Sequence, residues 1–370
     1  MISLSDDQIR WLRMRAQRLI PQSIDTASTP AQLVRELGGI QAQDILAAKL
    51  ALRPRGSRLT IADVERALTE ERSFVRTWGP RGTLHLLATK DLGWLLPLMG
   101  PVSVAATRRR RAELRLDEER CTRGITALRE LLAGQGPLIK TEIVEQLESR
   151  GIHTEGQATI HLLMRAALEG VLCLGPERGA KATYVLLGDW VKLGPSLSQE
   201  AAYTNLAYRY LEAYGPATPE DMATWSGLPM SPIRAAWRAI ANQLLEVQTA
   251  NKPAWMLKAH AVRLDEVPAF ASTTHLLPAF DIYLLGYKKR ELILPPHYAK
   301  HINAGGGMLK PVLLAEGRVL GTWKNARKKN HVEVIVEPFE HLTPQIHAEL
   351  EADAASLGRF LGIQATVNIM

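Results

Sequence analysis

Two carboxamides, Gln41 and Gln43, stand one residue apart in Gly38-Gly39-Ile40-Gln41-Ala42-Gln43-Asp44. An amide offers a carbonyl oxygen as acceptor and an NH2 as donor, but it cannot take up a full proton. The chemistry open to such a pair is therefore orientation of a water and stabilisation of developing charge, rather than general-base catalysis. Conformation decides whether the two act together. On a helix, residues i and i+2 point roughly 200° apart. In an extended segment they share one side, with Ile40 and Ala42 on the other. The spacing alone favours a polar turn that satisfies its own backbone.

The flanking residues predict how the pair is held. Thr29-Pro30 is a capping residue followed by a proline at the first helical position, which opens a helix over Pro30 to Leu37. Gly38-Gly39 ends it. Asp44 is placed to cap a second helix, Ile45 to Arg53, which stops at Pro54. The amides would then sit between two helices, backed by apolar residues.

A chain of 370 residues with 46% hydrophobic content can build two or three cored domains. It contains no run of 18 uncharged apolar residues, so no membrane span is expected. The N-terminus, Met1-Ile2-Ser3-Leu4-Ser5-Asp6-Asp7, lacks the basic and apolar regions of a signal peptide. The two cysteines, Cys121 and Cys173, have no metal-type spacing. A reducing, cytoplasmic and nucleoid-associated setting in a bacterial-type cell is the expectation. Net charge is +7. Residues 1–120 hold 20 of the 45 Lys and Arg against 14 of the 38 Asp and Glu, so the basic excess lies in the third of the chain that carries the glutamines. Attraction to phosphate is the natural use of such asymmetry, although Arg108-Arg109-Arg110-Arg111 could equally solvate an exposed helix.

Helical periodicity dominates, broken by short hairpins, and one unit recurs. Helix Arg123 to Leu132, a Gly136-Pro137 turn, helices Lys140 to Arg150 and Thr154 to Glu169, and a strand pair over Val171 to Leu187 form one copy. Ala201 to Tyr214, Gly215-Pro216, Pro219 to Ser226, Ser231 to Ala241 and strands over Leu244 to Val262 form another. This is the winged-helix order. An atypical first copy covers roughly residues 5–88, with helices Asp7 to Ile20 and Ile61 to Thr69 and a hairpin Phe74 to Leu87 turning at Gly79-Pro80. In its second strand, period-two alternation places Arg81, Thr83 and His85 on one face and Gly82, Leu84 and Leu86 toward the core. Strands are expected at Leu292 to Leu294, Lys310 to Leu314, Arg318 to Trp323 and His331 to Val336, closed by a helix from Pro344 to Leu361. The expected fold class is α+β, mainly helical. It has three tandem winged-helix units (1–88, 121–190 and 200–265), a helical connector (89–120) and a β-rich C-terminal domain (270–370).

No His-Glu-x-x-His, Gly-x-Ser-x-Gly, Walker or clustered Cys/His signature occurs, and Gly305-Gly306-Gly307 lacks the Gly-Lys-Ser/Thr of a P-loop and reads as a flexible loop. Three further segments carry a resemblance: Thr77-Trp78-Gly79-Pro80-Arg81-Gly82-Thr83-Leu84-His85-Leu86, Leu277-Pro278-Ala279-Phe280-Asp281-Ile282-Tyr283-Leu284-Leu285-Gly286-Tyr287, and Gly317-Arg318-Val319-Leu320-Gly321-Thr322-Trp323. With Gln41-Ala42-Gln43, and in that order, they resemble the winged-helix DNA glycosylases of the AlkZ type, from about Leu12 to the C-terminal helix. A related branch has Asp at the second glutamine; this chain keeps Gln43.

The resemblance implies that Gln41 and Gln43 are catalytic and that the enzyme is a monofunctional glycosylase. It would act as a monomer on double-stranded DNA carrying an alkylated purine, without metal or cofactor. A purine alkylated at N7 of guanine or N3 of adenine is already cationic and leaves as a neutral base, so water-positioning amides suffice. Self-resistance to a DNA-alkylating natural product and unhooking of interstrand crosslinks are the roles considered. Candidate DNA contacts are Arg81, Thr83 and His85 on the first hairpin, Lys288-Lys289-Arg290, and Arg318, Trp323, Lys324, Arg327 and Lys328, basic clusters that follow tyrosine or tryptophan elements. Asp44 and Asp281 are candidate supporting acids, with Asp281 better suited to anchoring the turn before Gly286. The alternatives are a non-enzymatic winged-helix DNA binder or transcriptional regulator, and a scaffold using winged helices for protein contacts. A regulator has no use for paired glutamines in a concave site.

Overall fold

The computed structural model describes residues 2–20, 28–56, 58–250, 252–264 and 273–370; the side chains of Gly134, Arg263 and Lys328 lie outside the description. So do the expected limits at residues 265 and 270. The chain is a mixed α/β protein with many helices and several sheets. It divides into two compact units. One comprises Met1–Val64, Thr204–Trp225 and Pro229–Met370; the other comprises Glu65–Tyr203 with Ser226–Leu228.

The first unit opens with helix Asp6–Ala16, where Ser5 and Gln8 form a reciprocal capping box. The helix stops well before Ile20 because Arg18 turns into the left-handed region at φ 55°. Helix Pro30–Glu36 starts on a second capping box between Thr29 and Gln32, and helix Ile45–Leu52 starts on Asp44, both where the cap residues predict. Hairpin Leu244–Gln248/Pro253–Leu257 takes the short strand Ile2–Ser3 alongside it in parallel.

A larger sheet orders its strands Thr274–Leu277, Val312–Ala315, Arg318–Lys328, His331–Pro338 and Gln364–Ile369. Val332, Val334 and Val336 turn inward in alternation. Helix Pro344–Leu361, capped by Thr343, buries Ile346, Leu350, Leu357 and Phe360. Glu316 and Gly317 both have positive φ, the geometry of a two-residue type I′ hairpin turn. Gly305, Gly306 and Gly307 all have positive φ, in a turn bridged by Asn303 and Leu309.

One strand expectation needs correction, and two strands lie outside the expected set. Leu292 to Leu294 is a turn: the amides of Ile293 and Leu294 both donate to the Arg290 carbonyl, and Ile293 is buried because the turn is internal. Its apolar run recorded burial, which does not distinguish strand from buried turn. Thr274–Leu277 and Gln364–Ile369 were not anticipated; both are short, and each takes its place from a partner far along the chain.

In the second unit, helix Glu118–Gln135, strand Leu138–Ile139, helices Lys140–Ser149 and Ala158–Leu168, and strands Leu172–Arg178 and Lys181–Leu186 follow in order. Leu138–Ile139 pairs antiparallel with Lys181–Leu186. Leu128, Leu131, Ile143, Leu147, Leu162, Leu163 and Leu172 make a continuous core beneath them. Hairpin Phe74–Trp78/Leu84–Ala88 joins the same sheet through Arg76 opposite Leu174. Helix Thr89–Ala106 passes close to the chain at Gly93 and Gly100, where an added Cβ would lie 2.2 Å from the Gly194 carbonyl oxygen and 2.3 Å from that of Leu168.

In the first unit, Arg55 and Asp281 form a fully buried pair, with Nη1–Oδ2 at 2.8 Å and Nη2–Oδ1 at 2.7 Å. Removing one partner leaves the other charge buried alone. Asp281→Ala should therefore lose about 3–5 kcal/mol in equilibrium chemical denaturation, whereas the double variant Arg55→Met/Asp281→Leu should recover part of that loss. A loss under about 1 kcal/mol would show that the pair does not organise this unit.

Candidate functional site

Helix Pro30–Glu36 unwinds at two glycines. The amide of Gly39 donates to the Val34 carbonyl at 2.9 Å, and Gly38 and Gly39 take φ of 71° and 108°, which a side chain would oppose. The chain leaves this turn extended, as the short strand Ile40–Gln41. Ile40 and Ala42 are buried at 1% and 0% exposure, the apolar backing that the alternation predicts. The two amides differ in cover: Gln41 is 8% exposed, while Gln43 is open to solvent. Immediately after it, Asp44 Oδ1 accepts the Ala47 amide at 3.0 Å and starts the next helix. The pair is therefore clamped by a helix C-terminus on one side and a helix N-terminus on the other.

What lies behind the turn explains the glycines. A Cβ on Gly38 would stand 3.2 Å from the Trp225 ring, and Tyr214 donates its hydroxyl to the Leu37 carbonyl at 3.1 Å. Trp225 and Tyr214 belong to an aromatic cluster with Tyr210 and Tyr287. Tyr210 donates to the Gly286 carbonyl at 2.7 Å, and Tyr287 to the Tyr214 carbonyl at 3.1 Å. Gly286 is required there, because an added Cβ would lie 2.4 Å from the Tyr214 ring. The guanidinium of Arg13 stacks on Tyr287 at 3.7 Å and donates to the Pro216 carbonyl. The segment Leu277 to Tyr287 thus acts as a structural strap.

The far end of helix Ile45–Leu52 is fixed by two arginines. Arg53 chelates Asp353 at 2.8 and 2.7 Å and donates to the Leu276 carbonyl. Burial by itself would raise the Asp353 carboxyl, but the Arg53 charge and hydrogen bonds outweigh it and hold that group well below the usual carboxylate range. Arg55 chelates Asp281 and also donates to the Ala51 and Gln17 carbonyls. Neither arginine was singled out in sequence. The available signal was Arg-Pro-Arg at a helix C-terminus, where cations are favoured, but nothing local revealed their acidic partners.

The other expected site residues divide. Asp44 is exposed and serves as the helix cap. Asp281 acts through its partners: its oxygens are taken by Arg55 and by the Tyr283 amide, the anchoring role. Trp323 is not a surface wedge; it is 4% exposed and its indole NH donates to the Leu277 carbonyl at 2.7 Å. Strand alternation places it inward. Lys288, Lys289, Arg318, Lys324 and Arg327 are exposed, Arg290 is half-buried with its pKa lowered by desolvation, and the Lys328 side chain lies outside the described residues.

Arg81, Thr83 and His85 belong to the other compact unit. Alternation does not run through them, because Pro80–Gly82 is a 3-10 turn and Arg81 has φ 57°. Thr83 closes that turn on the Pro80 carbonyl. His85 is buried at 3% exposure, with Nδ1 3.0 Å from the Thr83 carbonyl oxygen, so it does not face a ligand. Burial first, and the charge of Arg81 second, push its pKa down to about 3 and keep the ring neutral. The arginine run is split too: Arg111 is buried against the Val104 carbonyl and Thr107, while Arg109 and Arg110 pair with Glu113. Among the described residues no group of three or more His, Cys, Asp or Glu could hold a metal ion, and no helix is long and apolar enough to cross a membrane.

Against known proteins, residues 34–360 match the model of a family described as DNA glycosylase AlkZ-like. An interstrand DNA cross-link repair glycosylase of Streptomyces sahachiroi is 31% identical over 378 aligned residues, spanning 96% of each chain. The solved structure of the Streptomyces sahachiroi DNA glycosylase AlkZ superposes with a TM-score of 0.84 at 28% identity, over the whole of both chains.

His85 yields a pH prediction. Its folded pKa lies below the unfolded value of about 6.5, so between pH 6.5 and 3 the unfolded chain binds the extra proton and stability falls as pH falls. This group alone should cost up to about 1.4 kcal/mol per unit of pH across that window. His85→Asn should flatten the decline in urea midpoint between pH 7 and pH 4; an identical decline in both proteins would place the proton elsewhere.

Proposed function

We propose, from the premise that the chain belongs to the AlkZ-like family of DNA glycosylases, that it removes cationic alkylpurines from double-stranded DNA through Gln41 and Gln43. As a DNA glycosylase it is a hydrolase of N-glycosyl bonds. The observation that carries the assignment is that the two glutamines alternate with the buried Ile40 and Ala42 between two capped helices, with Gln43 open to solvent.

Cleavage of an N-glycosidic bond develops positive charge on the sugar and then needs water, as in glycoside hydrolysis by carboxylates. The carbonyl oxygens of Gln41 and Gln43 aim partial negative charge at such a centre and orient the water, without accepting a full proton. Preorganisation is the protein's contribution: the glycine turn and the Asp44-capped helix limit the freedom of the backbone between them. The leaving group must then supply its own activation. N7-alkylguanine and N3-alkyladenine do so, because they depart as neutral bases. The exposure of Gln43 suits a site open to bulky adducts and, by likeness to the cross-link repair relative, to interstrand crosslinks, with self-resistance to an alkylating natural product as one setting.

The architecture is read as three winged-helix units, 1–88, 121–190 and 200–265, with a connector at 89–120 and a β-rich domain at 270–370. Two features support it. The helix–strand–helix–helix–strand–strand order within 118–186 is the winged-helix order. Helices Gln199–Tyr214, Pro219–Ser226 and Met230–Ala239 precede a hairpin, with Ala217 bridged to Trp255 in place of the short strand. Phosphate contacts are assigned to Lys288, Lys289, Arg290, Arg318, Lys324, Arg327 and Arg81, and the enzyme acts as a monomer in a reducing compartment, where its buried Cys121 and Cys173 stay free thiols. The family membership disfavours a non-enzymatic regulator.

Gln41→Ala and Gln43→Ala should each slow single-turnover excision of an N7-alkylguanine by on the order of 10²-fold, with binding to undamaged duplex nearly unchanged. Wild-type rates in both would remove the assignment. On the substrate side, excision should be efficient for N7-methylguanine, nearly as fast for a large polycyclic N7 adduct in the same sequence, and negligible for uracil, hypoxanthine or 8-oxoguanine. Borohydride should trap no covalent complex. Efficient uracil removal would overturn the water-positioning mechanism, whereas rejection of the bulky adduct alone would overturn the open site.

A further inference from the structure

A concave pocket of about 310 Å³ in the second unit is lined by three arginines and a histidine, and the function above does not use it. Arg115, Arg120 and Arg123 surround it with His153, over a floor of Leu116 and Ile152. No carboxylate lines it. Its volume lies at the small end of ligand sites, enough for a compact anion.

The side chains are presented by local structure. Arg120 and Arg123 are three residues apart in helix Glu118–Gln135 and so share one face. Arg115 takes φ 57°, a left-handed conformation uncommon for a residue with a side chain. The turn it makes lets its carbonyl accept from Arg120 Nη1 at 2.9 Å, which fixes one edge of the Arg120 guanidinium. Beneath, Leu116 packs with Cys121 and Ala158, so the floor is a rigid part of the core. On the opposite wall Gly151, with φ 70°, ends helix Lys140–Ser149, and the Ile152 amide closes that end on the Leu147 carbonyl.

Several exposed arginines of this unit are neutralised: Arg109 and Arg110 by Glu113, Arg178 by Glu142 and Arg150 by Glu130. Beside the pocket Asp117 caps the helix through the Arg120 amide and lies 3.7 Å from Arg120 Nε. Arg115 and Arg123 are exposed and keep their guanidinium groups for an outside partner. Converging guanidinium forks over a small rigid floor suit a tetrahedral oxyanion better than a planar or extended ligand, because each fork can hold two of its oxygens.

We propose that this pocket is a phosphate-binding site, separate from the glutamine pair, that grips a phosphodiester of duplex DNA. The source could instead be a terminal phosphomonoester, which is the same chemistry. The inference rests on the DNA-directed activity of the family and not on the assignment of Gln41 and Gln43, and its test reads binding rather than excision.

The test compares wild type, Arg115→Ala/Arg120→Ala/Arg123→Ala and the single variant Arg123→Glu, whose side chain supports nothing in the fold. Equilibrium binding of undamaged duplex is measured from about 50 to 200 mM salt, with the duplex carrying either 5′-hydroxyl or 5′-phosphate ends. Each lost phosphate contact lowers the slope of log K against log salt by about one, so the triple variant should lose roughly two to three and Arg123→Glu at least one. Single-turnover excision at saturating enzyme should stay within about twofold of wild type. A loss independent of the end group identifies a backbone diester as the ligand; a loss confined to 5′-phosphorylated duplex identifies the monoester. Unchanged affinity and slope in both variants would overturn the site.

Discussion

The buried pair of Arg55 and Asp281 governs the geometry around the two glutamines. Taking two full charges out of water is expensive, and the pair persists because every strong donor and acceptor is satisfied. The same guanidinium also binds the Ala51 and Gln17 carbonyls, and the same carboxylate caps the turn at Tyr283. One interaction therefore joins the end of helix Asp6–Ala16, the end of helix Ile45–Leu52 and the strap Leu277 to Tyr287. Its value is positional: a charged pair tolerates few alternative packings, whereas an apolar contact can slide.

From that anchor the position of the amides follows mechanically. Helix Ile45–Leu52 is only eight residues long and would be marginal alone. Asp44 sets its start and Arg53 and Arg55 set its end, so the residue before the cap, Gln43, is presented at a defined place. On the other flank the aromatic cluster of Tyr210, Tyr214, Trp225 and Tyr287 pins the glycine turn through Leu37. The strap supplies both Asp281 and Tyr287, so it serves the two flanks together. For the proposed role of the two neutral amides, pKa tuning offers little and such rigidity is what matters.

Charge is used in two distinct ways. Arginines with buried heads, Arg53, Arg55 and Arg111, are structural and bind backbone carbonyls as well as carboxylates. Lysines and arginines at exposed positions, such as Lys288, Lys289 and Arg327, remain available to polyanions. Net charge by itself mixes the two classes, and the run Arg108 to Arg111 contains both.

Where a feature depends on neighbours within four or five residues, the amino-acid order was sufficient. The caps at Thr29 and Asp44, the glycine stop, helices Ile61–Thr69 and Pro344–Leu361, and the burial of Ile40 and Ala42 beside an exposed Gln43 all follow from local hydrogen bonding and from a two-residue period. Residues chosen by type and company alone fared differently. His85 and Trp323 have polar tips that suit DNA, yet both are internal; Asp281 is an acid near the family-like motif, yet it is the partner of an arginine 226 positions away. Burial and long-range pairing arise only when distant segments meet, so no window of sequence contains them. The type and order of the candidate residues are therefore written in the chain, while their exposure and their partners were decided by tertiary packing.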